Sequence, residues 1–94
     1  MFTKIVYLPL KKEWFNMIES GIKTEEYREI KPYWLKRINA FTTHVVFSYG
    51  FTKKRIKFEI NFVRIGFGNE CWGAPHGKKV IIIELGKRVS EEEK

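Results

Sequence analysis

The segment from Gly21 to Arg28 constrains the fold of this chain more than any other stretch. It directly follows an amphipathic helical pattern, yet its β-branched and aromatic residues are typical of a strand rather than of a helix end. In an extended conformation Thr24, Glu26 and Arg28 share one face, because side chains alternate along a strand. The opposite face carries Glu25, Tyr27 and Glu29. An ion pair between Glu26 and Arg28 on an inward face contributes little stability, so we expect it to organise a site.

Residues 21–28 also fill the pattern Gly-x-Lys-x-x-Glu-x-Arg without departure. This pattern is the signature of the ASCH domains, small β-barrels related to the PUA RNA-binding fold, and the chain resembles small bacterial and phage members of that family. Residues 10–15 and the stretch Trp72–Pro75 extend the resemblance to residues 7–86. The resemblance implies a PUA-like barrel with a cleft between barrel and helices. The motif residues that would line this cleft are Gly21, Lys23, Glu26 and Arg28.

Periodicity and turn residues predict about five strands and two short helices. The strands are predicted at residues 2–8, 24–30, 42–49, 54–65 and 79–85, and the helices at residues 11–20 and 32–40. Pro9 is expected to end the first strand and Gly21 the first helix, where glycine reaches the left-handed conformation cheaply. A change of apolar parity near Phe62 predicts a β-bulge. The fold class is therefore α+β, a small mixed PUA-like β-barrel of five or six strands with two short helices.

Two apolar stripes are expected to pack the helices onto this barrel. They consist of Trp14, Met17 and Ile18 in the first helix and of Trp34, Leu35 and Ile38 in the second. The unbroken apolar run from Val80 to Ile83 predicts a strand covered on both faces. The 94 residues make one domain, residues 1–88, followed by a charged tail at 89–94.

Composition excludes several kinds of protein. The single cysteine, Cys71, permits no internal disulfide, which fits a reducing compartment. No apolar run approaches the roughly 20 residues of a membrane span, and no signal peptide precedes the first strand, so a cytoplasmic location is expected. The chain contains no aspartate, which removes the common Asp-centred metal and triad chemistries. We therefore expect neither a metal ion nor a cofactor.

The charge balance points to an anionic partner. The chain carries 18 Lys and Arg against 11 acidic residues, a net charge of +7. Three of those acids lie in the last four residues, so residues 1–90 carry 17 basic and 8 acidic side chains, a net +9. A small domain this basic attracts nucleic acid, although a merely solvated basic surface is the plain alternative. The nucleic-acid-binding candidates are Lys31, Lys53, Lys54 and Arg55, and aromatic residues lie between them in the sequence.

A few polar side chains and one indole are the candidates for binding and catalysis in the cleft. The catalytic candidates are Lys23, Glu26 and Glu70, and the ligand-binding candidates are Gly21, Thr24, Tyr27, Arg28 and Trp72. Lys23 is expected at the mouth of a solvent-open cleft, where it binds phosphate or acts as a base if burial depresses its pKa. Trp72 lies in a loop bounded by glycine and proline, where it either stacks on a base or plugs the barrel end.

These residues predict binding of RNA or of a modified nucleoside or nucleotide. A first alternative is a hydrolase on such ligands, either an N4-acetylcytidine-type amidohydrolase or a metal-independent ribonuclease. In the acetylcytidine-hydrolysing ASCH members the resemblance implies a motif lysine, a threonine nucleophile and a glutamate. Lys23 matches that lysine, whereas Glu26 occupies the position of the threonine. The second alternative is an interaction module without catalysis.

Overall fold

The computed structural model describes residues 2–90 as an α+β fold of five strands and two short helices. In chain order the elements are β1 (Ile5–Leu10), α1 (Lys12–Glu19), β2 (Glu25–Arg28), α2 (Pro32–Arg37), β3 (His44–Tyr49), β4 (Arg55–Gly66), a 3₁₀ turn (Glu70–Trp72) and β5 (Val80–Val89). Proline at the first turn of α2 fits the helix start, where its missing N–H would be unpaired anyway. Within residues 2–90, no helix is both long enough and apolar enough to cross a membrane.

All five strands belong to one mixed sheet in the order β1-β3-β4-β5-β2. β1 pairs with β3 in parallel, and the other three ladders are antiparallel. The sheet curls into a half-barrel, and within residues 2–90 no ladder joins its edge strands β1 and β2. Arg28 of β2 reaches over to β1, where its Nη2 donates a hydrogen bond of 3.3 Å to the carbonyl oxygen of Pro9. The open side between the two edge strands, which we call the seam, is therefore spanned by a side chain rather than by backbone pairing.

The main core lies on the concave side of the curled sheet. α1 contributes Phe15 and Ile18, both fully buried, and its sequence-predicted partners Trp14 and Met17 are only half-buried. β5 is covered on both faces, as its unbroken apolar run predicted. Its buried residues divide between the main core, which takes Ile81 and Ile83, and a smaller cluster around Tyr27, which takes Val80 and Ile82.

Several predicted boundaries were wrong, each for a reason that lies in the sheet. β1 continues through Pro9 to Leu10, because an edge strand has a side without a partner and tolerates proline there. β5 runs on to Val89, since the 12-residue β4 offers Lys57 and Phe58 as partners. Part of the predicted tail is therefore sheet, and residues 91–94 lie outside the described residues.

Two further details differ from the sequence pattern. The β4–β5 register shifts between Phe58 and Phe62, slightly before the predicted bulge position. α2 ends at Arg37, and Leu35 of its predicted apolar stripe is 40% exposed. The stripe is thus narrower than expected, because only the half-buried Trp34 and the buried Ile38 turn towards the sheet.

Candidate ligand-binding cleft at the seam of the half-barrel

The seam holds a concavity of about 240 Å³, which we call the seam cleft. Its walls come from the end of β1, the start of α1, β2 and the 3₁₀ turn. The lining residues are Pro9, Leu10, Lys11, Trp14, Glu26, Tyr27, Arg28, Trp72 and Gly73. β1 and β2 are both edge strands, so the cleft opens where the sheet offers uncovered backbone.

A buried ion cluster forms the polar floor of the seam cleft. Glu26 Oε1 lies 3.1 Å from Lys23 Nζ, and Glu26 Oε2 accepts a hydrogen bond from Arg28 Nη1. Lys23 Nζ also donates to the backbone oxygen of Trp72 at 2.7 Å. The side chains of Lys23, Glu26 and Arg28 are 0%, 7% and 18% exposed, and within residues 2–90 every buried side-chain N or O atom has a partner. The cluster is therefore a satisfied buried network, the form in which such charges are tolerated.

Lys23 occupies a different place from the one expected. It lies behind Glu26 and does not line the seam cleft, and its Nζ sits 4.7 Å from the ring centroid of Tyr27 and 5.4 Å from that of Trp14. Burial lowers the pKa of Lys23 below its ordinary value, and the attraction of Glu26 opposes that shift. The expectation of a solvent-open lysine was wrong, because the loop around Trp72 covers it. Glu26, rather than Lys23, presents the cluster to the cleft.

Arg28 links the cluster to the seam. Its Nη1 donates to Glu26 and, at 2.9 Å, to the carbonyl oxygen of Tyr27, while Nη2 reaches Pro9 across the seam. The guanidinium also lies 5.4 Å from the ring of Trp34. Three of its five N–H groups are used by these bonds. The planar fork is thus fixed in orientation and keeps an exposed edge.

The loop residue Gly73 shapes one wall of the seam cleft. It ends the 3₁₀ turn with φ at 99°, a left-handed conformation that favours glycine. A Cβ at this position would lie 3.1 Å from the ring of Trp14, so glycine also permits the close approach of loop and helix. This turn carries Trp72, whose half-buried ring packs on the smaller core cluster and lines the cleft as well. Trp72 therefore packs against the fold and also borders the cleft, and its stacking on a base stays a prediction.

A second ion cluster surrounds Glu25, and it includes the hydroxyl of Tyr27, whose ring also lines the seam cleft. Tyr27 donates its hydroxyl hydrogen to Glu25 Oε1 at 2.8 Å, and the hydroxyl oxygen accepts from the backbone N–H of Asn69. Burial raises the pKa of Tyr27 to about 12. Arg64 joins Glu25 at 2.8 Å to Glu84 at 3.1 Å. These contacts tie β2 to β4 and β5, so they serve the sheet.

Besides Lys23, three of the expected site residues lie outside the seam cleft. Glu70 is exposed, and its carboxylate contacts His76 Nδ1 at 2.8 Å, so it adds no second carboxylate to Glu26. Gly21 has φ at 87° and ends α1 as predicted, while Thr24 is exposed and uses its carbonyl oxygen to pair with Leu85. Gly21 and Thr24 therefore shape the connection from α1 to β2 and do not line the cleft.

The four predicted nucleic-acid contacts have different surroundings. Lys31 lies beside Glu29 at 3.4 Å, and Lys54 lies near Glu19 at 3.5 Å. Lys53 and Arg55 line a different concavity of about 480 Å³, and Arg55 alone also lines a groove next to β1. The other residues that line the concavity of about 480 Å³ are Ile56, Lys57, Arg88, Val89 and Ser90.

Sequence reasoning missed five residues of the seam cleft: Pro9, Leu10, Lys11, Trp14 and Gly73. Trp14 was assigned to the helix stripe, but Phe15 takes the core position and leaves Trp14 half-buried at the cleft. Its neighbour Lys11 precedes α1 and is exposed. The available signal was the apolar pair Trp14-Phe15, of which only one side chain can enter the core.

Within residues 2–90 no group of three or more His, Cys, Asp or Glu side chains is arranged to hold a metal ion. No protein-family model matches the chain. No curated protein matches it significantly.

Proposed function

We propose that this chain is a PUA-like domain of the ASCH type that binds RNA or a nucleoside in the seam cleft. One observation carries the proposal: the indoles of Trp14 and Trp72 line the same small cleft as the Glu26–Arg28 pair. Flat apolar walls favour a planar ring, and the stacking of a base on an aromatic side chain is worth about 1–3 kcal/mol. The net charge of +7 adds an attraction for the phosphates of the ligand.

The polar floor offers both kinds of hydrogen-bonding group that a base edge needs. Each oxygen of Glu26 has a further lone pair, which accepts from a ring N–H or an exocyclic amine. Arg28 has two N–H groups beyond those used by Glu26, Tyr27 and Pro9, and these donate to a carbonyl or phosphate oxygen. Lys23 holds the carboxylate of Glu26 in place, so the acceptor is already oriented before a ligand arrives.

The indole N–H groups give a direct test. The chain has three tryptophans, of which Trp14 and Trp72 line the seam cleft and Trp34 lies beyond Arg28. Titration with the four nucleosides and with short single-stranded RNA, followed by ¹H–¹⁵N NMR, should shift the Trp14 and Trp72 indole signals. The matched control is Phe62→Ala, which removes an exposed ring from β4 outside the cleft and should leave the titration unchanged. Absence of shifts with every nucleoside and every RNA would refute the proposal.

A second candidate function is hydrolysis of the ligand in the same cleft. Its support is Glu26, a carboxylate at the cleft in direct contact with a lysine whose pKa burial lowers. In this scheme Glu26 touches the substrate and Lys23 is a positioning residue. Glu70 has no part in it, because its carboxylate contacts His76 instead.

The hydrolase candidate predicts product formation from N4-acetylcytidine or from a labelled RNA. Glu26→Gln keeps the shape of the side chain and should abolish the activity, whereas Glu25→Gln on the other side of β2 should not. A parallel reaction with chelator tests the metal-free scheme. An inactive wild-type protein that still shifts the indole signals would leave binding as the function.

A further inference from the structure

We infer that the seam cleft is the end of a longer groove that takes an extended single-stranded polynucleotide along β1. This inference rests on the proposed function, and it adds the class of ligand and its path. The ligand would be a strand of several nucleotides rather than a free nucleoside. Three features carry it: neighbouring concavities share wall residues, aromatic rings recur at intervals, and the lining contains more cationic than anionic side chains.

The concavities beside the seam cleft join one another through common residues. Next to the cleft is a concavity of about 390 Å³ that shares Arg28 with it. Trp34 links this one to a concavity of about 470 Å³ between β1 and α2. Tyr7 and Pro9 then lead into a groove of about 220 Å³ between β1 and the β3–β4 turn. We call this connected series the β1 track.

Aromatic rings recur along the β1 track, and several of them are well exposed. The half-buried ring of Trp34 stands after Arg28, Tyr7 is 62% exposed in the middle, and Phe51 is 98% exposed at the far end. Beside Tyr7, the ring of Tyr33 carries the Arg37 guanidinium 3.7 Å from its centroid. An exposed ring contributes nothing to the core, and rings spaced along a groove are the usual platform for successive bases.

The charge of the β1 track favours an anion over its whole length. Each of its three concavities is lined by at least one cationic side chain. Lys78 lines the concavity of about 390 Å³, Lys4 and Arg37 line that of about 470 Å³, and Arg55 lines the groove of about 220 Å³. Within the described residues, Glu29 is the single carboxylate that lines them, and it lies within 4 Å of Lys31 and Lys78. Alternation of rings and cations matches the bases and phosphates of one strand. An acidic peptide would use the cations and leave the rings uncovered.

The first experiment measures affinity against ligand length. Fluorescence anisotropy with labelled polyuridine and polycytidine from one to about 16 nucleotides covers the range of site sizes known for small domains. Affinity should rise over the first several nucleotides and then reach a plateau. Single-stranded DNA of the same lengths tests whether the sugar matters, and an acidic peptide of equal charge is the competitor. Affinity that is complete with one nucleotide, or equal binding of the peptide, would overturn the inference.

The second experiment uses variants far from the seam cleft. Phe51→Ala should weaken binding of the longest RNA by at least about five-fold, and Phe62→Ala, which removes a 57% exposed ring outside the β1 track, should not. Arg37→Ala should lower the slope of log K against log salt by about 0.7, the contribution of one phosphate on a single strand, while Lys87→Ala should leave that slope unchanged. A structural role of either residue would not produce this dependence on length and salt.

The indole signals separate this inference from the proposed function. A nucleoside should shift Trp14 and Trp72 alone, and a longer RNA should also shift Trp34. If Trp34 stays unshifted with every RNA and Phe51→Ala binds like the wild type, the β1 track is wrong and the seam cleft stands. If no indole signal shifts with any ligand, the proposed function and the β1 track both fail.

Discussion

Glu25 and Glu26 are neighbours in β2, yet their ion clusters differ in burial and surroundings. Glu26 is buried with Lys23 and Arg28 beside a cleft, whereas Glu25 binds the partly exposed Arg64 and the hydroxyl of Tyr27 on the opposite side of the strand. The Glu25 cluster joins three neighbouring strands of the sheet. The Glu26 cluster instead lies at the seam, where no strand follows.

This difference fits a structural use of charge at Glu25 and the binding use that we propose at Glu26. A partly exposed ion pair contributes little net free energy and costs little desolvation, so contacts within the sheet are enough to explain the Glu25 cluster. A buried ion cluster carries a desolvation cost that a well-packed apolar set avoids. The position of such a cluster beside a cleft lined by two indoles supports the proposed function.

The largest expected effect comes from removing one carboxylate at a time. Glu26→Ala leaves Lys23 buried without its counter-ion, so we expect a loss of about 3–5 kcal/mol in the free energy of unfolding. Glu25→Ala removes a partly exposed pair and should cost about 1 kcal/mol or less. Urea unfolding followed by circular dichroism measures both. Equal losses for the two variants would erase the distinction between the clusters.

A smaller effect is expected at alkaline pH on the Glu25 side. The pKa of Tyr27 is about 12 in the folded protein against 10.0 ordinarily, so the unfolded chain loses this proton first as pH rises. Stability should therefore fall between pH 10 and pH 12, because the unfolded state binds fewer protons there. Tyr27→Phe should lack this part of the decline, which unfolding experiments across that pH range measure.

The control for the alkaline prediction is the absorbance of the phenolate in the folded protein. The phenol of Tyr27 should ionise only near pH 12. The lowered pKa of Lys23 acts in the opposite direction at lower pH, raising stability as pH approaches 10.5 from below, and it is common to both proteins. A constant difference between wild type and Tyr27→Phe from pH 8 to pH 12 would contradict the burial of the hydroxyl.

Local sequence pattern predicted one pair of residues in each cluster, and long-range topology decided the other partners and the burial. Alternation along a strand placed Glu26 with Arg28 and Glu25 with Tyr27, and the observed contacts have those partners. The burial of Lys23 depends on the backbone oxygen of Trp72, which lies 49 residues away in the chain. No local pattern reports such a contact.

The seam shows that local sequence pattern could predict the elements of the fold and not their arrangement. Five strands and two helices followed from periodicity and turn residues, and the structure contains them. The strand order was not predictable in this way, because the crossover from β1 through α1 places β2 at the far edge of the sheet. That order leaves the barrel half closed and creates the cleft. Trp14 reaches the cleft only because of this placement, so its role could not be read from its helical spacing.

The most direct test of the central claim compares the affinities of Glu26→Gln and Glu25→Gln for one single-stranded RNA. Both changes remove one negative charge from adjacent positions of β2, so they alter the net charge equally, and circular dichroism checks that each variant folds. Fluorescence anisotropy should show a loss of at least about ten-fold for Glu26→Gln, the scale of a hydrogen bond to a charged group. Glu25→Gln should bind as the wild type does. Equal affinities for the two variants, or a larger loss for Glu25→Gln, would contradict the assignment of the binding site to the seam.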